Sequence, residues 1–185
     1  MESSGSRLES LENSDMNCSA TDTSNTVWGS QAVEAVPVSR GGAEPQTQRC
    51  ANCGGESRPV SRKTVLLMLK PELLERATTG TYSFCSAPDC PVVYFEEQSR
   101  HVFTTDDLRV LIGVKAKTDP IPLCYCFGFD EKHIREEISL TGATTVPETI
   151  SRLIREGLCA CESRNPSGVC CLGEVNRTVR HLFSQ

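Results

Sequence analysis

The cysteines come in two batches, and their spacing constrains this chain more than any hydrophobic pattern does. Cys124-Tyr125-Cys126-Phe127-Gly128-Phe129 opens a stretch that closes with Cys159-Ala160-Cys161 and Cys170-Cys171, so six of the eleven cysteines lie there. Thiolates one residue apart in extended backbone point to the same side and reach one iron atom; a distant pair then holds the second iron of a [2Fe-2S] cluster. The other batch is the Cys-x2-Cys knuckle Cys50-Ala51-Asn52-Cys53-Gly54-Gly55, followed by Cys85 and Cys90. Four thiolates on two loops suit tetrahedral Zn2+. The 31 residues between Cys53 and Cys85 exceed the spacing of a compact ribbon.

Length and composition limit what can surround such sites. With 185 residues and 38% hydrophobic content, the chain has room for one ordinary domain or two small ones, and small cores need staples. No apolar h-region follows Met1, and no apolar run reaches about 18 residues. The expectation is a cytoplasmic protein without membrane insertion, whose cysteines do metal or redox chemistry rather than build a disulfide framework. The net charge of −5 sits in residues 1–45, where seven acids face only Arg7 and Arg40. The balanced remainder offers little footprint for nucleic acid.

The fold expected is α+β, in three parts. Residues 1–46 lack apolar periodicity and read as a disordered leader, with Cys18 and Trp28 given no role. Residues 47–118 read as a zinc-stapled α/β module. Thr64–Leu69 is helix or strand, Pro71 starts a helix, and short strands follow at Thr81–Phe84, Val92–Phe95 and His101–Thr104, with one more over Leu108–Val114. Lys115–Pro122 reads as a linker. Residues 119–185 read as a three-helix module. Asp130 caps a helix stopped near Gly142, Thr145 and Glu148 form a capping box for a second ended by Gly157, and a third starts near Ser167-Gly168.

A cluster needs four of the six later thiols. At about 100° per residue, a helix from Ser167 sets Cys171 beside the stripe of Val169, Leu172, Val175, Val179 and Leu182 and turns Cys170 outward. Cys161 is preferred to Cys159 for its nearness to that helix. The ligand set is therefore Cys124, Cys126, Cys161 and Cys171 for the cluster and Cys50, Cys53, Cys85 and Cys90 for zinc. A second zinc site competes for the later set, because spacing does not name the metal. His101, His133 and His181 are expected to be bystanders, and Glu136 and Glu137 to lie on a solvated helix face.

Specific phrases carry a family resemblance: Phe84-Cys85, Asp89-Cys90-Pro91-Val92-Val93-Tyr94-Phe95, the Cys124–Phe129 loop, and Cys161-Glu162 through Asn165-Pro166-Ser167-Gly168 to Cys170-Cys171-Leu172-Gly173. From about Cys50 onward the chain resembles the N-terminal region of the archaeal CopZ type of copper chaperone and the wider iron–sulfur-binding metallochaperones. Its second module is also similar to bacterioferritin-associated ferredoxin. The resemblance implies zinc, a [2Fe-2S] cluster, and work around copper, either reduction of Cu2+ to Cu+ or delivery of Cu+. It also implies an electron donor and a copper transporter as partners. Within these 185 residues there is no heavy-metal-associated Met-x-Cys-x2-Cys motif, so Cu+ delivery is expected to need a separate protein carrying one. The function expected is non-catalytic electron transfer and metal binding. The alternatives are a zinc-ribbon interaction module and an oxidoreductase using Cys170-Cys171 or Cys159-x-Cys161 as a dithiol.

Overall fold

Short strands rich in aromatic and β-branched residues pair here into an antiparallel sheet of order β1-β2-β3-β4, comprising β1 (Ser57–Val60), β2 (Tyr82–Cys85), β3 (Val92–Glu96) and β4 (Val102–Thr104). The computed structural model describes residues 48–184 apart from Arg100; the leader expected over residues 1–46, with Cys18 and Trp28, lies outside the described residues. Strand β1 is absent from the sequence reading because Arg58 and Pro59 obscure it. An edge position tolerates the missing proline N–H.

Both central strands are buried throughout, so the sheet is covered on both faces. Helix α1 (Arg62–Met68) resolves the ambiguous apolar run, with Ser61 as its N-cap accepting from the Thr64 N–H at 3.1 Å. Val65, Leu69, Tyr82, Tyr94 and Phe103 form the heart of the larger core. Val92 and Phe95 instead pack with Cys50, Cys85 and Cys90, while the β-bulge between Val92 and Tyr94 breaks the alternation and leaves Val93 and Tyr94 both in the larger core. Pro71–Arg76 is a 3-10 helix rather than an α-helix. The strand expected over Leu108–Val114 does not form. Leu108 makes an isolated bridge to Leu69, and Gly113–Lys115 is a 3-10 turn, because Gly113 packs so closely on Pro122 that an added Cβ would lie 1.8 Å from the Pro122 carbonyl oxygen.

The later half begins with the hairpin of β5 (Pro122–Cys124) and β6 (Phe129–Asp130). Helix α2 (Glu131–Thr141) starts where Asp130 accepts from the His133 N–H at 2.9 Å and stops at Gly142 in the left-handed region. Helix α3 (Val146–Arg155) follows Thr145, but the expected capping box is not made. Glu137 accepts from the Thr145 N–H at 3.1 Å and from the Thr144 and Thr145 hydroxyls, so it leaves the solvated face predicted for it and caps α3 from a neighbouring helix. A single-turn helix α4 (Cys161–Arg164) went unread, and α5 (Leu172–Phe183) begins several residues later than expected, with Cys171 as its N-cap. The loop ahead of it is held by Asn165, which donates to the Val169 carbonyl at 2.8 Å and accepts from the Ser167 N–H at 3.0 Å.

The described residues belong to one compact unit, and named bonds join its earlier and later parts. Thr64 Oγ1 donates to the Glu162 carbonyl at 2.6 Å, and the buried Tyr94 hydroxyl donates to the Pro166 carbonyl at 2.8 Å. Tyr125, between the cysteines of the Cys-x-Cys pair, turns into this junction. Its hydroxyl donates to the Leu111 carbonyl at 2.9 Å and accepts from the Gly113 N–H at 2.8 Å.

Candidate metal centres

Cys50 and Cys53 sit on a turn closed by the Gly54 N–H donating to the Cys50 carbonyl at 2.7 Å, with Gly54 at φ +68°. Cys85 ends β2, and Cys90 stands just before β3. The sheet thereby brings two loops to one end. The four sulfurs all lie within 4.8 Å of one another, with Cys50–Cys90 at 4.0 Å and Cys53–Cys85 at 3.7 Å. Four bonds of about 2.3 Å in a tetrahedron place sulfurs about 3.8 Å apart, so this arrangement fits one small divalent ion.

The surroundings of these sulfurs are unequal. Cys53 is exposed, and the other three are buried. Burial pushes the Cys85 thiol up to about 12. At Cys90 burial acts in the same direction, but the Asn52 side chain donating at 3.3 Å, the Val92 N–H and the neighbouring thiols outweigh it and bring the group down to about 7. The Gly55 N–H also reaches Cys53 Sγ at 3.4 Å. Amide donors facing sulfur are the outer shell that a thiolate-held metal uses.

The later cysteines converge by a route that spacing did not foresee. The Cys-x-Cys pair is not extended, because Cys124 ends β5 and residues 125–128 turn, with the Gly128 N–H donating to the Cys124 carbonyl at 2.9 Å. Cys126 Sγ meets Cys161 Sγ at 3.7 Å, and the Cys171 thiol contacts those of Cys124 and Cys161. Cys124, Cys161 and Cys171 are buried and Cys126 is half-buried. Cys170 and Cys159 are also half-buried, and Cys170 lies beside Cys161.

These thiols shift one another in opposite directions. Cys161 is held low, at about 2, by the Cys126 and Cys171 thiols, and Cys124 is drawn to about 7 chiefly by Cys171. Cys126 and Cys171 are pushed far above the ordinary range, first by Cys161 and by Cys124 respectively. Backbone amides add to this. The Ala160 N–H reaches Cys126 Sγ at 3.4 Å, those of Phe127 and Cys126 serve Cys124, and that of Cys171 serves Cys161. An all-sulfur, largely buried set with amide donors suits soft cations or an iron–sulfur centre.

A cleft of about 420 Å3 runs along the junction and is lined by Arg58, Tyr125, Asn165, Cys170, Cys171 and Arg177, among others. It gives solvent an approach to one edge of the later set. Two of the histidines face solvent: His101 is exposed, and His133 is exposed and pairs with Asp130 at 2.8 Å. The sequence reading passed over Asn52, whose place inside the knuckle was the available signal. It also placed Lys115 in a linker, whereas Lys115 is buried, and nothing in the local sequence marks it.

Residues 47–109 match the family model described as the zinc-binding domain of CopZ. Among solved structures, the N-terminal domain of Archaeoglobus fulgidus CopZ is 34% identical. The match covers 70% of this chain and 96% of that one, with a TM-score of 0.58. This chain belongs to the CopZ-type family. Its CopZ-type region therefore includes a zinc-binding domain, with a four-cysteine metal site on the knuckle and the Cys85–Cys90 loop. The copper chaperone CopZ of the same organism is 35% identical over 129 residues, and the chain spans 60% of that relative's length. No helix among the described residues is long and apolar enough to cross a membrane.

Proposed function

We propose that this CopZ-type chain is a metallochaperone-like protein that holds Zn2+ at Cys50, Cys53, Cys85 and Cys90 and a [2Fe-2S] cluster at Cys124, Cys126, Cys161 and Cys171, and that it passes single electrons in copper handling. The observation that carries this reading is the convergence of the four later sulfurs, drawn from a hairpin turn, the first residue of α4 and the cap of α5. When bound, the cluster supplies one-electron chemistry. The chain itself supplies amide donors to the sulfurs, which raise the reduction potential by stabilising added negative charge. It also supplies apolar cover from Leu123, Ile134, Ile150 and Val175. The Cys170 edge of the cleft is where a copper ion meets sulfur. Reduction of Cu2+ to Cu+ would take one electron from the reduced centre, which an external donor then restores. A copper transporter or a heavy-metal-associated domain protein would receive Cu+.

Iron, zinc and acid-labile sulfide analysis of the purified protein, with an electron paramagnetic resonance spectrum after reduction, tests this assignment. We expect iron and sulfide in equal amounts together with zinc, and a signal from the reduced cluster. Protein holding zinc alone, without visible absorption or a reducible signal, overturns it.

A further inference from the structure

Lys115 lies in the segment that reads as a linker, yet it is only 8% exposed. Its ammonium donates to the Ala87 carbonyl at 2.8 Å and to the Cys90 carbonyl at 3.0 Å, both on the loop that joins two of the knuckle-site cysteines. Lys117, two residues on, is exposed and pairs with the exposed Asp89. Lys115 makes no ion pair with a carboxylate among the described residues. A buried ammonium held only by carbonyl dipoles is costly unless an anion lies near.

The knuckle site provides one. Four thiolates around a divalent cation carry a net charge of about −2, spread over sulfurs in a low-dielectric setting. The ammonium is also firmly placed. It ends the 3-10 turn that begins at Gly113, which is pinned by Tyr125 through its N–H and by close packing on Pro122.

We propose that Lys115 is the built-in counter-ion of the Cys50, Cys53, Cys85 and Cys90 site, offsetting the charge of the metal-loaded tetrathiolate and clamping the Ala87–Cys90 loop so that Cys85 and Cys90 face the ion. The inference rests on the assignment of those four thiolates to one divalent cation. Lys115 is a positioning residue and touches no metal. Its contribution differs between states: with metal bound the ammonium meets an anion, and without metal it is a buried cation lacking one.

The test compares wild type, K115M and K115R as full chains, with zinc affinity measured by competition against a chromogenic chelator and thermal midpoints taken with and without zinc. K115M is expected to weaken zinc binding by roughly 10- to 100-fold, the range typical of outer-shell partners. K115R, which keeps the charge, is expected to retain most of the affinity. The midpoint of metal-free K115M should not fall below that of the metal-free wild type. Unchanged affinity in K115M, K115R as weak as K115M, or an equal loss of thermal stability in both metal states would each overturn the proposal. Wild-type protein that takes up no zinc would overturn the tetrathiolate assignment itself. Wild type that binds zinc beside an unaffected K115M sinks the counter-ion role alone.

Discussion

Cys170 and Cys171 are neighbours in sequence with different surroundings. Cys171 is buried, caps α5 and contacts two other thiols, whereas Cys170 is half-buried at the cleft and lies beside Cys161. Replacing Cys171 with serine removes one of the four sulfurs, and the cluster assigned there should be lost, with its visible absorption. Replacing Cys159 and Cys170 together with serine should leave absorption and paramagnetic signal in place. A double variant isolated colourless would put one of those two sulfurs in the ligand set instead. The helical phase that favoured Cys171 assumed a helix running through it. The side chain is inward for another reason: as N-cap, with its carbonyl accepting from the Glu174 and Val175 N–H groups, it leaves the loop with its thiol against those of Cys124 and Cys161.

Helix α2 shows how much local chemistry fixes. Asp130 accepts from the His133 N–H and lies beside its ring, and although burial is the largest single influence on it, these partners win and hold the carboxyl below its ordinary 3.8. A carboxyl depressed in the folded state adds stability above its unfolded pKa, and that stability is lost as pH falls through the folded value. D130A should therefore cost about 1 kcal/mol near neutral pH, the usual worth of such a cap. The gap to wild type should close once the pH is acid enough to protonate this carboxyl in both folded and unfolded states. Urea denaturation at both pH values reads this directly; a gap that persists in acid would mean that Asp130 acts by packing. Both ends of α2 were legible in the sequence because cap and stop are contacts within a few residues. The start of α3 after Thr145 was legible too, but its capping partner was not, because Glu137 comes from another helix, and α5 was begun too early because Val169 matches the apolar spacing while the Asn165 loop holds it out of the helix.

At the scale of the molecule, the two cysteine centres share a junction made of few polar contacts. Tyr94 is buried on β3, and its hydroxyl is the donor to the Pro166 carbonyl, on the loop that leads to Cys170 and Cys171. In Y94F that carbonyl faces apolar packing without its donor, so we expect a loss of about 1–3 kcal/mol in urea denaturation. The cluster proposed nearby should also bleach faster under a chelator, followed by visible absorbance; wild-type bleaching in a destabilised Y94F would show that the junction and the later centre are uncoupled. The sequence alone determined the ligand chemistry, two batches of soft thiolates on glycine-bearing turns, together with the strands and caps that depend on near neighbours. Tertiary structure decided which sulfurs meet: Cys126 with Cys161, and Cys171 with Cys124, across a hairpin turn that the extended Cys-x-Cys reading did not contain. It also decided that Lys115 is buried in a segment that reads as a linker. The reason is physical: caps, turns and periodicity are set by neighbours a few residues away, whereas burial and sulfur–sulfur approach depend on surfaces brought together from distant parts of the chain.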